Sequence, residues 1–507
     1  MNKIKNKLSK INFIANTALK AIDLYKNLKL KFVDFKYEQA VYPSISKTEL
    51  IAYNKSRKFT VNKNICFAPK KSMMFSFDGN VYLCCDNKEA SIGNITTQNL
   101  HDIWFGEKRY LLDKQINQDY NLDKGCITCE YKIKNKNYST VQAQNFDLYT
   151  TNNSEYPARL EFEIHNTCNL ECIMCDGAHS SSIHANRNKL PALKMVYDDT
   201  FTKQLIEFIP YLKSINLLGG EPTLIKTYYD IIEKVTTINP SCFIHLQTNA
   251  SNISEKFKSL LEKGNFEIGI SIDALTKELA IEIRKNIDFE KHIETIQYYI
   301  SLHKQNKIKV TVNTCILTNN WKEIIPIIQF CNEHKLTIFI CVITNPFYNS
   351  FLSTTIEFVE HVSTELKHLM KELPQSNYFE KNNYVQLSDF LNMLESWKVS
   401  ISALTQYRVL NINKSTEELY KLLRENLISF FHNNEQHKLI NETILYVELK
   451  LNLLNESGKK ELLIIIINML KDQTLMTPEA EYTKWANEYI SNLVFSFKSK
   501  KSINEYS

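Results

Sequence analysis

The chain predicts an α/β fold in which six strands alternate with helices, a small cysteine-bearing unit comes first and an all-helical region last. Three observations carry that expectation. Apolar strand-like runs recur at LEFEIH (160–165), SINLL (214–218), CFIHLQ (242–247), EIGISI (267–272), IKVTVNTCIL (308–317) and LTIFICVIT (336–344). Helical patterns such as TYYDIIEKVTTI and FEKHIETIQYYISLH separate them. Nine of the ten glycines lie between Gly79 and Gly269, so the tight turns and close approaches that need glycine belong to this part of the chain. Such alternation implies right-handed crossovers and a parallel sheet. An open doubly wound sheet and an incomplete barrel both satisfy it, and both put functional groups at the strands' C-terminal ends.

A length of 507 residues divides into several units rather than one core. Residues 1–60 form a basic segment whose first 32 residues hold eight lysines against one acid. They lack the continuous apolar stretch of a cleaved leader. A helix packed on the body and an amphipathic helix on a membrane surface both fit. Residues 61–135 read as a hairpin, MMFSFDGNVYLCC with Asp78-Gly79 at its turn, followed by one helix. A linker spans 136–154, the strand–helix array 155–350, and a helical region 351–507. In the last, the longest apolar run, Leu462–Ile467, is far too short to span a bilayer. With 44% hydrophobic and 23% charged residues and a net charge of +5, the composition is that of an ordinary folded chain. It gives no reason to expect nucleic acid or a transmembrane segment, and the expected location is the cytoplasm.

Twelve cysteines are many for such a chain, and nothing indicates the secreted setting of a disulfide framework. Their grouping is informative. In IHNTCNLECIMCDG (164–177), directly after the first strand of the array, Cys168, Cys172 and Cys175 fall within eight residues. Zinc completed by His165 or His179 is one reading. A [4Fe–4S] cluster held by three cysteines is the other, and its open iron coordination site leaves room for a substrate or cofactor. A second set, Cys66, Cys84, Cys85, Cys126 and Cys129, has the ligand count of a zinc ribbon or of a fully ligated auxiliary [4Fe–4S] cluster. Cys66, Cys84, Cys126 and Cys129 are the expected ligands, with Cys85 as a neighbour or substitute for Cys84. The isolated Cys242, Cys315, Cys331 and Cys341 are expected to be small buried hydrophobes.

The C-x3-C-x2-C spacing after the first strand resembles the signature of the radical S-adenosylmethionine (SAM) superfamily, and further motifs follow in order. Met174 matches the position packing near the SAM adenine. Gly219, Gly220, Glu221 and Pro222 after the second strand resemble the family's GGE motif, whose backbone and carboxylate bind the SAM ammonium. Thr248 and Asn249 end the third strand, and Ser271 and Asp273 the fourth. Both pairs resemble positions that bond the ribose or line the substrate pocket. Arg284 is similar to an arginine that meets the SAM carboxylate, and Ile316 with Leu317 matches adenine contacts. The window 61–135 resembles a SPASM/twitch auxiliary-cluster domain, placed before the barrel rather than after it.

The resemblance covers roughly residues 155–346 and implies an incomplete (β/α)6 barrel. It implies SAM and two [4Fe–4S] clusters as cofactors, with an electron donor such as flavodoxin or ferredoxin. The reduced cluster cleaves SAM to a 5′-deoxyadenosyl radical that abstracts hydrogen from a substrate. Cys168, Cys172 and Cys175 are the catalytic set. The substrate is expected to be a peptide, a protein or a small hydroxylated molecule, oxidatively modified. A non-catalytic iron–sulfur or zinc partner protein is the alternative.

Overall fold

The computed structural model describes residues 44–57, 64–122, 125–149, 154–344, 346–430, 437–452 and 454–471. The basic segment 1–43 and the stretch 477–497, also expected to be helical, lie outside the described residues. Three strands come from the first cysteine unit: β1 (Ser72–Ser76), β2 (Asn80–Tyr82) and β3 (Gly93–Asn94). Six come from the array: β4 (Arg159–Glu163), β5 (Ser214–Leu217), β6 (Phe243–Thr248), β7 (Asn265–Ser271), β8 (Lys309–Ile316) and β9 (Thr337–Val342). All nine form one sheet in the order β3-β2-β1-β4-β5-β6-β7-β8-β9. Strands β4 to β9 are parallel and follow chain order, as the incomplete barrel requires.

Register divides the sheet into two chemically opposite faces, because successive side chains point to opposite sides. The cross-strand row Phe162, Leu217, Leu246, Ile268 and Val310 is buried among helix residues such as Tyr228, Ile232, Tyr299 and Ile328. Each of those side chains contributes on the order of 1.5–3 kcal/mol by leaving water. The adjacent row, Glu161, Asn216, His245, Glu267 and Lys309, faces the other way. This polar face is the inner wall of the open barrel.

The cysteine unit is not a separate body. Strand β1 runs parallel to β4, pairing Ser72 with Arg159 through to Ser76 with Glu163. Phe75 stacks on Phe162 with ring centroids 5.0 Å apart. The expected hairpin is present, with Gly79 at φ +83° in its turn and β2 antiparallel to β1. The expected single helix after it is two, Leu100–Trp104 and Glu107–Asn117. They part at Gly106, where a Cβ would lie 2.4 Å from the Asp102 carbonyl. The expected linker is packed too: Gln142–Tyr149 forms a 3-10 turn with Ala143, Phe146, Asp147 and Tyr149 buried. Arg57 anchors it through a buried ion pair with Asp147, and the Tyr149 hydroxyl lies 2.7 Å from Ser214 Oγ at the start of β5.

At the far edge, the long helix Tyr378–Asn411 covers β9. Asn383, fully buried, accepts from the Ile338 amide at 2.9 Å and donates to the Leu336 carbonyl at 2.9 Å. An open strand edge is thereby satisfied by a side-chain amide. The helices Thr416–Phe430, His437–Leu451 and Glu456–Lys471 build a second core, in which Leu462 to Ile467 are all buried. No helix among the described residues is long and apolar enough to cross a membrane.

Candidate functional site

The three-cysteine loop leaves the C-terminal end of β4 and is held from both sides. On one side, the Gly220 amide donates to the His165 carbonyl at 3.1 Å and the Glu221 amide to that of Thr167 at 2.6 Å. This approach explains the glycine pair. Gly219 sits at φ +112°, and a Cβ on Gly220 would lie 2.2 Å from the Thr167 carbonyl. On the other side, the amides of Glu171 and Ile173 donate to the carbonyls of Lys285 and Ile283 at 3.0 and 2.9 Å. Glu171, almost fully buried, accepts from Asn186 at 2.8 Å, Lys285 at 3.0 Å and Asn286 at 3.1 Å. It fixes the loop from inside, a role the sequence reading missed although Glu171 stands between two of the cysteines.

Cys168, Cys172 and Cys175 pack together with Leu170, Met174 and Ile287. Burial pushes the Cys168 thiol up to about 11 and raises Cys172 and Cys175 as well. Two guanidinium groups lie nearby: Arg284, with Nη1 3.7 Å from Cys172 Sγ, and Arg187, with Nη2 3.2 Å from the Cys172 carbonyl. Thiols in this setting stay protonated at neutral pH unless a cationic centre takes them as thiolates, which is what cluster iron does. The donor set therefore fits an iron–sulfur cluster.

The other expected contacts fall into distinct places. Asn249 lies beside the cysteines, its Nδ2 3.8 Å from Cys168 Sγ. Asp273 pairs with Arg284 at 2.7 Å and accepts from the Cys315 amide at 2.7 Å. Ser271 is on the inner face, accepting from Gln247 Nε2 at 2.9 Å. Glu221 is held inside the fold. Buried at 1% exposure, it accepts from the Thr223 amide and hydroxyl at 3.1 and 2.7 Å, the Thr248 hydroxyl at 2.7 Å and the Asn249 amide at 2.7 Å. Its carboxylate is engaged within the fold, joining the ends of β5 and β6, with Pro222 and Thr248 buried around it. Ile316 is held inside as well. Strand alternation turns it into the helix-side core at 0% exposure, while its neighbour Cys315 takes the inner face, so its side chain does not reach the cleft.

His165 and His179, the candidate fourth ligands of a zinc site, are both engaged elsewhere. His165 Nδ1 lies 2.6 Å from Thr167 Oγ1. His179 bridges Asp176 and Glu163 at 2.8 and 2.9 Å. Glu163 also meets Lys88 at 2.8 Å, so one carboxylate links the two cysteine regions.

In the upstream set, burial raises all of Cys66, Cys84, Cys126 and Cys129, and each of the first three feels other members of the four. The Ala68 amide donates to Cys66 Sγ at 3.3 Å and Asn87 Nδ2 to Cys126 Sγ at 3.2 Å. Gly125, at φ +76°, clears the space that Asn87 needs. Cys85 points elsewhere: burial and then Glu161 push it up to about 12, and Gln142 Nε2 lies 3.2 Å from its sulfur. Among the described residues, no three His, Cys, Asp or Glu side chains converge tightly enough for a single metal ion. A cubane does not need that convergence, because each of its cysteines bonds a different iron.

Two family models match the chain: the Radical SAM superfamily over residues 162–331 and SPASM, an iron–sulfur cluster-binding domain, over residues 66–130. A GTP 3',8-cyclase of Clostridium perfringens is 29% identical over 182 residues, covering 35% of this chain and 53% of the relative. A cysteine-type anaerobic sulfatase-maturating enzyme of Clostridium novyi is 25% identical over 171 residues, covering 32% and 44%. The matched part thus spans about half the length of these curated relatives. Among solved structures, anSMEcpe with bound AdoMet aligns at TM-score 0.33 and 20% identity, covering 42% of this chain and 57% of that one. Streptococcus suis SuiB bound to S-adenosylmethionine aligns at 0.31 and 15%, covering 53% and 68%. The cofactors that go with these two domains are [4Fe–4S] clusters and SAM. Residues 162–331 belong to the radical SAM superfamily, and residues 66–130 ahead of them are a SPASM-type iron–sulfur domain.

Proposed function

We propose that this chain is a radical SAM enzyme that abstracts hydrogen from a hydrogen-bonding substrate seated on the inner face of the sheet. When bound, the three-cysteine cluster supplies an electron that cleaves SAM to methionine and a 5′-deoxyadenosyl radical. Cys168, Cys172 and Cys175 hold that cluster, while Cys66, Cys84, Cys126 and Cys129 hold the auxiliary one. Met174 and Asn249 flank the first site, and Arg284 supplies positive charge for the SAM carboxylate. The Gly219–Gly220–Glu221 backbone holds the loop to which SAM binds.

The observation that carries the substrate reading is the polar inner row Glu161, Asn216, His245, Glu267 and Lys309, lying back to back with the apolar row. Charges and amides on this wall, which runs from buried Glu161 through half-buried Asn216, His245 and Glu267 to exposed Lys309, orient hydroxyl and amide groups, as a peptide or a small hydroxylated molecule presents them. The 25%-identical Clostridium novyi relative, named a sulfatase-maturating enzyme, supports the peptide side, and the cyclase relative the small-molecule side. The test is anaerobic reconstitution with iron and sulfide, then reduction in the presence of SAM. About eight irons per chain are expected for two cubanes, together with 5′-deoxyadenosine. Stoichiometric zinc without labile sulfide would overturn the reading.

A further inference from the structure

We propose that Cys315 and Cys341 form a redox-active dithiol at the mouth of the cleft, a thiol–disulfide exchange site separate from both iron–sulfur sets and independent of the substrate reading. The two residues are direct cross-strand partners on β8 and β9. Strand alternation places both on the inner face, in line with Asn313 and Phe339 two pairs earlier. Cys341 is exposed and Cys315 half-buried, whereas Cys242 and Cys331 are buried as expected of isolated cysteines. Sequence alone treats all four as buried hydrophobes, and register separates this pair from the other two.

The geometry suits a bond that forms and breaks. Neighbouring strands stand about 4.7–4.9 Å apart, inside the window of about 4.4–6.8 Å between Cα atoms that a disulfide accepts. Side chains rising from paired positions keep roughly that spacing, which exceeds the mean Cβ separation of about 3.8 Å in a relaxed bridge. Closing it asks the strands to give a little. Strained, accessible disulfides are the easily reduced ones. Asp273 accepts from the Cys315 amide, so the bridge would form beside the Asp273–Arg284 pair.

The two thiols are also unequal. Cys341 is the exposed sulfur and Cys315 the half-buried one, and their mutual influence raises Cys315 and lowers Cys341, which makes Cys341 the attacking sulfur and Cys315 the resolving one. With a low-molecular-weight disulfide RSSR as oxidant, the Cys341 thiolate attacks one sulfur and expels RS⁻. The Cys315 sulfur then gives up its proton, attacks the Cys341 sulfur of the mixed disulfide and expels the second RS⁻. Two electrons pass to RSSR, two thiol protons end on the two released thiols, and one S–S bond replaces another.

The test treats the reconstituted full chain, without air, with oxidised glutathione, then alkylates it under denaturing conditions and maps the peptides by mass spectrometry. Iron and labile sulfide are followed in the same sample. The expected result is a Cys315–Cys341 crosslink formed while iron content holds, with reaction about tenfold or more faster than at the buried Cys242 and Cys331. In Cys315→Ser, a glutathione adduct should accumulate on Cys341. A wild-type chain in which both thiols stay alkylatable overturns the proposal. So does a crosslink that forms only as iron is lost, since the oxidant would then be acting through cluster breakdown.

Discussion

His179 Nε2 lies 2.9 Å from Glu163 Oε1, and the same ring meets Asp176 on its other nitrogen at 2.8 Å. Glu163 closes the inner face of β4, Asp176 follows the last cysteine of the loop, and Lys88 reaches the same glutamate from the upstream unit. A single imidazole therefore fastens the cysteine loop to the strand from which it springs.

That bridge has a pH signature. Asp176 first and then Glu163 raise His179 to about 10 against the effect of burial. Burial pushes Glu163 up, but His179 and Lys88 more than offset it and hold it near 2. A histidine raised in the folded state stabilises fully below its unfolded value of about 6.5. The contribution shrinks as pH rises and is gone above about 10. The ring is half-exposed, so solvent keeps the effect small. The melting temperature of the parent should exceed that of His179→Gln most at pH 6, less at pH 8 and not at all near pH 10.5. A difference that does not vary with pH would mean that the ring acts by packing alone.

Glu221 should behave as a strut. Glu221→Ala strands the Thr223 amide and hydroxyl, the Thr248 hydroxyl and the Asn249 amide in a buried space. An unsatisfied buried donor costs about 1–3 kcal/mol, and the hydroxyls can turn to other acceptors, so a loss of about 2–4 kcal/mol is expected. Glu221→Gln keeps two acceptor lone pairs and should lose less. Urea unfolding of the two variants measures the difference. Equal stabilities would show that the carboxylate is not needed inside.

Asn383 gives a prediction far from the site. Asn383→Ala removes the acceptor of the Ile338 amide and the donor to Leu336 and Asn332, all in a fully buried position. A cost of about 2–3 kcal/mol follows from the unpaired groups. Hydrogen exchange at the Ile338 amide should speed up before that of the central strands β5 and β6. Unchanged exchange at Ile338 would mean that the helix backbone alone protects the edge.

Much of this organisation is legible in the sequence, for physical reasons. Six alternating strands show because each apolar run has a helix after it, and the cysteine loop shows because three thiols in eight residues have few other uses. The union of β1 with β4 does not. SMMFS is buried at every position, which reads equally well as an isolated hairpin or an inner strand, and its partner Arg159–Glu163 is over eighty residues away. The packing of residues 142–149 is not legible either, because Phe146 and Tyr149 fill space that exists only once β4 and β5 are in place. Alternation says that Cys315 and Ile316 face opposite ways, but it takes the helix layer to say which one meets the cleft. Glu221 illustrates the same limit: a motif fixes where a carboxylate stands, and only the surrounding donors show where it points.

The last prediction separates the two cysteine sets by job. Three cysteines leave an iron coordination site open, whereas four close theirs, and a closed cluster cannot chelate SAM. Cys126→Ala with Cys129→Ala should therefore spare release of 5′-deoxyadenosine while turnover of the substrate collapses. Structure adds a reason for the collapse beyond electron transfer. Cys126 opens the helix Ile127–Lys134, and the upstream unit touches the inner face through Cys85 beside Glu161 and Lys88 on Glu163. If the auxiliary cluster accepts the electron left on the substrate radical, losing its ligands would remove that acceptor as well as loosen a wall of the cleft. The Lys88→Met variant separates these effects, because it weakens the wall and leaves every cysteine in place. If the wall matters most, Lys88→Met should raise KM at least as much as it lowers kcat while auxiliary iron stays bound. If the acceptor matters most, Lys88→Met should turn over at the parent rate and only the cysteine variant should fail. A folded double-cysteine variant that still converts substrate at the parent rate would leave residues 66–130 with a structural role alone.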